Sequence, residues 1–377
     1  MDQYATMFEC TGQFLNAIEE VQPPPLHPTL GDTWWTTMER ELAALMKESE
    51  VSATFTEQTY EVFDCFKIGY KCLSNALVKV EFDRLARIRE LQAKPQSVQR
   101  SDEWYRETAE LLTASELYNL FGSPRARGQL VLCKVPRDVQ TLTPAPAPKK
   151  SCMTAEMTPF DWGTRFEPVA KQILEELWGA TIVDLGRLRH PTIASLAASP
   201  DGLITATDTK HQALLGNLVE IKCPSSRIVG GGVPPNYWYQ MQLQMEVAEV
   251  PVCQYCEFTF KSATARGPME EAPLNATEGL IYLLQNHDTL DTKYAYGPIG
   301  DTKWNPRPEA PWHVLERIPW FLEKSWIHPV YRDTAWFQSI IPLLDEFWRD
   351  VEKAKRGEFI APESSVKRKS AVCAITD

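Results

Sequence analysis

Apolar residues recur at intervals of three and four in several long stretches of the chain, and this spacing predicts amphipathic helices. The predicted helices cover residues 34–49, 57–92, 162–179 and 334–355. The stripe of the third helix consists of Phe166, Val169, Ala170, Ile173, Leu174 and Leu177. Residues 180–261 show strand-like alternation, with one further helix over 237–246.

These patterns predict three regions along the chain. Residues 1–95 are expected to form a helical N-terminal unit, and residues 96–360 a larger α/β domain. Alternating Pro and Ala within 140–159 predict an extended loop in that domain. The polar tail over 361–377 is expected to be disordered.

Composition narrows the class of protein. The chain has 377 residues, of which 44% are hydrophobic and 24% charged, as in a soluble globular protein of two domains. No run of apolar residues is long enough to span a membrane, and no secretory signal opens the sequence. We therefore expect the nine cysteines to be reduced in an intracellular compartment, the nucleus or cytoplasm of a host cell. The net charge of −11 argues against nonspecific coating of nucleic acid, but it allows a local basic cleft.

Two carboxylates and one lysine are predicted to converge within the strand region. Asp201 precedes the predicted strand over 203–206, and Glu220 and Lys222 lie on the strand that follows. Since alternate residues of a strand point to the same face, Glu220 and Lys222 share a face. A turn through residues 208–216 returns the chain and can bring Asp201 beside Glu220.

Such a trio suits metal-assisted phosphodiester hydrolysis. Carboxylate oxygens are hard ligands for Mg²⁺ or Mn²⁺, and a nearby lysine can orient water or stabilise transition-state charge. The alternative is an ordinary surface ion pair between Glu220 and Lys222, because the Glu-x-Lys pattern is common in proteins.

Two neighbouring helices offer further polar groups. Glu167 lies on the helix ahead of the strands and is a candidate carboxylate, or a glutamate favoured by the helix dipole. In the helix over 237–246, Gln240 and Gln244 share a face and Gln242 points away from both. Helical geometry alone leaves open which glutamine faces the carboxylates.

The ordered motifs resemble those of the YqaJ-type viral recombinase and lambda-exonuclease-like alkaline nuclease family, which is part of the PD-(D/E)XK nuclease superfamily. Within that family they are most similar to the proteins of large DNA viruses. The similar segments are RSDEWY at 100–105, LTAS at 112–115, WGTRFEPVA at 162–170, SPDG at 199–202, VEIKCPSSR at 219–227 and the helix NYWYQMQLQMEV at 236–247. The resemblance implies a restriction-endonuclease-like core with a mixed β-sheet flanked by helices. It covers residues 96–260 and leaves 1–95 unplaced.

The resemblance also implies roles for matching residues. Asp201, Glu220 and the backbone carbonyl of Ile221 would ligate the metal, with Glu167 as a further carboxylate. Lys222 would act on the attacking water, and Gln242, or second to it Gln240, would be the helix glutamine.

Other matching residues are expected to contact DNA. Ser115 and Arg125 correspond to positions that hold a 5′-phosphate, a role that suits a bidentate guanidinium. Arg106, Arg227 and Gln240 complete the expected DNA contacts.

The sequence departs from the family pattern at two places. Thr108 stands where the family often has an arginine, and Arg106 is the nearest substitute. The stretch around His190 lacks the acidic residue that the family has upstream of SPDG, and His190 is a candidate replacement or a structural histidine.

One Cys-x-x-Cys pair, Cys253 and Cys256, lies on the predicted strand over 252–260. A zinc or iron–sulfur site needs about four ligands. With no second pair in the sequence, we interpret these residues as packing cysteines.

The predicted function is an Mg²⁺-dependent exonuclease that hydrolyses linear duplex DNA from 5′ to 3′ in viral-type recombination or genome processing. Mn²⁺ is an alternative metal. The resemblance suggests a single-strand annealing protein as partner and allows a homotrimer. The alternative functions are an endonuclease, or a DNA and RNA nuclease, of the same superfamily, and a noncatalytic DNA-binding scaffold.

Overall fold

A computed structural model describes residues 28–48, 53–98, 101–108, 110–135, 157–262 and 271–362. The chain divides into two compact units, Met1–Arg87 and Ile88–Asp377. Most of the predicted loop over 140–159 and most of the predicted tail over 361–377 lie outside the described residues. None of the helices in the described ranges is long and apolar enough to cross a bilayer.

The first unit contains helix α1 (Pro28–Glu48) and most of helix α2 (Ala53–Ala93). Its core consists of Trp35, Met38, Leu42, Met46 and Phe63. The rings of Trp35 and Phe63 meet edge to face with centroids 5.6 Å apart. Apolar burial at three- and four-residue intervals along α1 is the feature that the sequence pattern predicts.

The second unit is built of helices around two sheets. Its further helices are α3 (Asp102–Glu107), α4 (Pro124–Cys133), α5 (Pro159–Trp178), α6 (Pro235–Ala248) and α7 (Thr334–Lys355). Short 3₁₀ helices cover Leu117–Phe121 and Thr209–Leu214. The strands are β1 (Leu112–Thr113), β2 (Thr181–Val183), β3 (Leu188–Arg189), β4 (Leu196–Ala198), β5 (Gly202–Ala206), β6 (Leu218–Lys222), β7 (Val252–Ser262), β8 (Glu278–Asn286), β9 (Thr292–Tyr296) and β10 (Trp312–Tyr331).

The larger sheet is mixed, with seven strands in the order β2-β5-β6-β7-β10-β8-β9. Strands β6 and β7 are parallel, and the other neighbours are antiparallel. A smaller sheet has the order β1-β4-β3, in which β1 runs parallel to β4. The predicted α/β class, a mixed sheet flanked by helices, is confirmed.

Helix α5 covers one face of the larger sheet. It begins with a capping box between Thr158 and Asp161 and ends at Gly179, whose φ of 51° suits a residue without a side chain. The buried residues of the helix pack against alternate residues of β6, among them Val219 and Ile221. This packing leaves the other face of β6 for polar side chains.

Two features differ from the sequence-based predictions. Leu177 was placed in the buried stripe of α5 but is exposed, while its neighbour Trp178 is buried. The sheet also extends beyond residue 261 through β8, β9 and β10, three strands that the hydrophobic pattern did not predict. Strand β10 carries Pro319, Pro329 and several charged residues, so it lacks a clear alternation.

Candidate functional site

Strand pairing brings the predicted trio together. Strands β5 and β6 are antiparallel, with Gly202 opposite Val219. Extending this register by one residue sets Asp201 opposite Glu220, on the same face of the sheet. The backbone N–H of Ile221 donates to Asp201 Oδ2 at 2.8 Å, which fixes the carboxylate at the start of β5.

Glu220 is the centre of the cluster and is fully buried, at 0% exposure. Gln240 Nε2 donates to its Oε1 at 2.7 Å, and Gln244 Nε2 donates to its Oε2 at 2.6 Å. Lys222 forms an ion pair with the same carboxylate. A carboxylate buried without such partners would be strongly destabilising, so helix α6 and Lys222 together make this position possible.

Lys222 is held as an ammonium group between anions. Burial by itself lowers the pKa of Lys222, but the negative charges of Glu220 and Asp201 outweigh it, and the net shift is upward. Its Nζ also lies 5.0 Å from the centroid of the Tyr237 ring, within range of a cation–π contact. The lysine is therefore positioned as a charged group rather than as a neutral base.

The pKa of Asp201 is also raised, but for a carboxyl group an upward shift favours the neutral form. Burial raises the pKa of this carboxyl well above its usual range, and the charges of Glu220 and Glu167 raise it further. Lys222 and the N–H of Ile221 oppose the shift without cancelling it. Burial and the neighbouring carboxylates therefore both favour the protonated form of Asp201.

Glu167 lies close enough to the cluster for its charge to act on Asp201. It is half-buried on α5, and its charge contributes to the raised pKa values of both Asp201 and Cys223. In the described part of the chain, no three His, Cys, Asp or Glu side chains are arranged to hold a metal ion. The hard donors available to a divalent cation are thus the paired carboxylates of Asp201 and Glu220.

The helix glutamine predicted first is not in the cluster. Gln242 points away from the carboxylates: its Nε2 donates to the carbonyl of Tyr331 at 2.8 Å, and its Oε1 accepts from the N–H of Asp333 at 2.7 Å. Gln240, the second candidate, does contact Glu220, and so does Gln244, to which the sequence analysis assigned no role. The four-residue spacing of Gln240 and Gln244 was the signal that relates them.

Ser115 lies at the edge of the smaller sheet from which the chain leads to Asp201. Strands β1 and β4 are parallel, so the turn after β1, which carries Ser115, and the segment after β4, which leads to Asp201, leave the smaller sheet at one edge. Ser115 is exposed, and its Oγ lies 3.4 Å from the hydroxyl of Thr113. Glu116 fastens this turn by accepting from the Thr113 N–H at 3.0 Å.

The arginines expected to contact DNA differ in their exposure and in their partners. Arg125 is exposed in the first turn of α4, behind the N-cap Ser123, and Arg106 is exposed at the end of α3. Arg227 forms an ion pair with Glu257 and donates to the Tyr255 hydroxyl at 3.0 Å. Lys134, on the other hand, is buried against Glu116 and is unavailable to a ligand.

A further arginine, missed by sequence reasoning, organises the region around Thr108. Arg187 is buried, stacks over the Trp104 ring at 4.1 Å, and donates to the Trp104 carbonyl and to Thr108 Oγ1. It also lies 3.8 Å from Glu107. This guanidinium fastens α3 to the smaller sheet, a contact across about eighty residues that no local pattern reveals.

His190 has a structural position. Its Nδ1 accepts from the backbone N–H groups of Thr192 and Ile193 at 3.2 and 3.0 Å, and its ring stacks on Phe337. Burial lowers the pKa of His190, although Glu246 opposes the shift. Its ring thus caps a turn.

The cysteines near the site are thiols buried in the core. Cys223, Cys253 and Cys256 are free and buried, and burial raises their pKa values well above the usual range. A neutral, buried thiol packs as a small apolar side chain. Their setting is that of packing residues.

Comparison with known proteins finds a family model that covers this site. Residues 103–251 match the family model of the YqaJ-like viral recombinase domain. The matched segment contains Asp201, Glu220, Lys222 and both inward-facing glutamines, so the whole cluster lies within it.

Individual relatives are more distant. The chain is 23% identical over 300 residues to the uncharacterized protein R354 of Acanthamoeba polyphaga mimivirus, covering 67% of this chain and 52% of that protein. It therefore spans about half the length of that relative.

Two solved structures of one bacterial protein are also similar. The alkaline exonuclease LHK-Exo of Laribacter hongkongensis is 20% identical with a TM-score of 0.41, and the match covers 68% of this chain and 95% of that protein. Its complex with dAMP gives 21% identity, 68% and 97% coverage, and a TM-score of 0.39. Because these TM-scores are low, the description of the fold rests on strand order and register.

Proposed function

We propose that this protein is a divalent-metal-dependent deoxyribonuclease that hydrolyses phosphodiester bonds of linear duplex DNA. The observation that carries this proposal is the convergence of Asp201, Glu220 and Lys222 on one face of β5 and β6, inside the segment that matches the YqaJ-like viral recombinase domain. The fully buried Glu220 and the half-buried Asp201 and Lys222 form a cluster of ionisable groups, an arrangement typical of functional sites.

The charge of the pocket favours a divalent cation. Asp201, Glu220 and Glu167 bring three carboxylates, against which Lys222 supplies a single positive charge. The donors are hard oxygens, which suit Mg²⁺ and also Mn²⁺. We assign Asp201, Glu220 and the carbonyl of Ile221 as ligands, with Glu167 as a further carboxylate for metal or water.

The protein's own groups then have distinct tasks. A bound divalent ion would neutralise charge on the phosphodiester and activate water. Lys222, kept charged by its anionic neighbours, orients the attacking water and stabilises developing negative charge. Gln240 and Gln244 hold the Glu220 carboxylate in one orientation through its two oxygens. Preorganisation of this kind lowers the cost of reaching the transition state.

The substrate end is assigned from the residues near the cluster. Ser115 and Arg125 bind the 5′-terminal phosphate, and Arg106 and Arg227 contact phosphates of the backbone. This assignment favours removal of nucleotides from 5′ to 3′, leaving a single strand. In viral-type recombination that strand would pass to a single-strand annealing protein. Light scattering distinguishes a homotrimer from a monomer.

Cleavage of end-labelled DNA tests the proposal. Linear duplexes labelled at the 5′ or 3′ end, and a closed circle, are incubated with Mg²⁺, Mn²⁺ or EDTA. Wild type is compared with Lys222→Ala and with the control Lys261→Ala, which removes a partly exposed lysine from the neighbouring strand β7. We expect metal-dependent loss of linear DNA in wild type and the control, and at least a hundred-fold slower loss in Lys222→Ala.

The other outcomes identify the alternatives. Cutting of the closed circle would show an endonuclease, and cutting of RNA a broader nuclease. Absence of cleavage with either metal, together with retained DNA binding, would contradict the proposal and favour a scaffold.

A further inference from the structure

A second buried carboxylate lies beside the site on the neighbouring strand. In the parallel pairing of β6 and β7, Glu220 is opposite Tyr255 and Lys222 is opposite Glu257. Glu257 therefore shares the face of the sheet that carries the proposed catalytic groups, yet Lys222 pairs with Glu220 instead. Glu257 is only 1% exposed, so it requires partners of its own.

Its partners come from β7 and from the loop after β6. The Tyr255 hydroxyl donates to Glu257 Oε1 at 2.6 Å, and the Gly230 N–H donates to Oε2 at 3.2 Å. Arg227 completes the set with an ion pair. Two of these three partners belong to the segment between β6 and α6, so the buried carboxylate fixes that segment to the sheet.

The same loop is fastened at a second point. Lys324 Nζ, from β10, donates to the carbonyl of Val229 at 2.8 Å. Gly230 has a φ of +88°, a conformation that strongly favours glycine, and its Cα faces the Trp326 ring. The loop is thus held in one conformation by side chains of β7 and β10.

This arrangement places Arg227 and Lys222 around the same aromatic ring, that of Tyr237. Its guanidinium carbon lies 5.3 Å from the centroid of the Tyr237 ring, and Lys222 Nζ lies 5.0 Å from the same centroid. The guanidinium has five N–H donors, and Tyr255 and Glu257 occupy only some of them. Its side chain remains 36% exposed. A fixed, partly exposed guanidinium beside Lys222 suits one phosphate of a DNA backbone.

We propose that Glu257 is a positioning residue that holds Arg227 against the DNA phosphate next to the one that is cleaved. The inference rests on the proposed function and deepens it, because it assigns a backbone contact to the active site. Glu257 does not touch the substrate; it acts only through Arg227. A carboxylate that neutralised Lys222 instead would have no reason to accept from Gly230 and Tyr255.

The test measures DNA binding and cleavage separately. Affinity for a linear duplex is measured by fluorescence anisotropy in EDTA over a range of salt concentrations, and kcat and KM are measured with Mg²⁺. The variants are Arg227→Ala, Glu257→Gln and the double variant, with Glu323→Gln as the matched control on β10. Glu323 is about half exposed and pairs with Lys261, outside the loop.

We expect Arg227→Ala to weaken binding and raise KM about ten-fold, as loss of one charged hydrogen-bonding contact does. The slope of log Kd against log salt should become shallower by about 0.9, the value for one phosphate contact. Glu257→Gln should shift KM and slope in the same direction with kcat nearly unchanged. The double variant should be no worse than Arg227→Ala, and Glu323→Gln should match wild type.

Other results would overturn the inference. Unchanged salt slopes in Arg227→Ala and Glu257→Gln would show that neither residue serves a phosphate contact, and additive losses in the double variant would show that Glu257 acts independently of Arg227. If Glu257→Gln fails to fold, Tyr255→Phe decides, because it removes a hydroxyl shared by both residues and keeps the ring. A wild-type protein that binds DNA with the expected slope but never cleaves it contradicts the proposed function alone.

Discussion

The buried ion pair between Lys134 and Glu116 offers a direct test of how the turn carrying Ser115 is held. Lys134 is 1% exposed, and its Nζ donates to the carbonyl of Thr108 at 2.8 Å and to both Glu116 oxygens at 2.7 and 2.8 Å. Lys134→Met keeps much of the volume but removes the charge. Glu116 then keeps only its contacts with Thr113.

The expected cost follows from burial on both sides of the pair. Removing one partner of a fully buried pair costs about 3–5 kcal/mol. Since Glu116 remains 23% exposed and retains two donors from Thr113, we expect a smaller loss, about 2–3 kcal/mol, for Lys134→Met. Lys134→Met combined with Glu116→Gln should recover part of this loss, because no uncompensated charge is then left.

Urea unfolding followed by tryptophan fluorescence measures the change in the free energy of unfolding. The control is Lys355→Met, which removes a lysine from an exposed pair with Glu352 on α7 and should change stability by less than about 0.5 kcal/mol. If Lys134→Met matches that control, or if the two substitutions at the buried pair are additive, the pair does not hold the turn.

Three further predictions concern packing, the glutamines and pH. A Cβ added in Gly202→Ala would lie 2.4 Å from Ile182 Cγ2, so thermal unfolding should show a loss of about 1–3 kcal/mol, and wild-type stability would refute the packing. Gln244→Ala should lower kcat at least ten-fold in the cleavage assay. Gln242→Ala should lower the melting temperature with little change in kcat. Equal losses of kcat would contradict the assignment of Gln244, and not Gln242, to the Glu220 carboxylate. His190 has a folded pKa below its unfolded value, so the unfolded chain binds the proton first and stability should fall as pH drops below about 6.5. Melting curves of wild type and His190→Asn from pH 8 to 5.5 check this, and parallel curves would refute it.

The long helices and the paired carboxylates were predictable because each has a local signature. Helix α5 shows its apolar stripe in the sequence, and alternation along β6 assigns Glu220 and Lys222 to one face. The turn between β5 and β6 is short enough that the partner of Glu220 could also be inferred as Asp201. In these cases local periodicity and short-range pairing determine the geometry.

The side of α6 that faces Glu220 could not be predicted from the sequence, for a physical reason. All eight residues from Met241 to Ala248 are buried, so the helix has no solvent face that would orient it. Only packing between β6 and the junction of β10 with α7 turns Gln240 and Gln244 towards Glu220, and Gln242 towards Tyr331. The partners of Glu257 were hidden for the same reason, since they depend on the register of β6 with β7.

In the proposed function, Thr108, which stands where the resembled family often has an arginine, changes which residues are expected to recognise the DNA end. Arg187, just before β3, already reaches Thr108 Oγ1, but it is buried and donates to Trp104 and Thr108, so it is not available to a phosphate. We therefore propose that a terminal phosphate is recognised by the exposed cations, Arg125 and Arg106. Exposed arginines are less preorganised than buried ones, because solvent and side-chain rotation compete with the ligand. The proposal thus assigns cleavage to groups held rigidly by β5, β6 and α6, and the preference for a 5′ end to exposed arginines that are less preorganised.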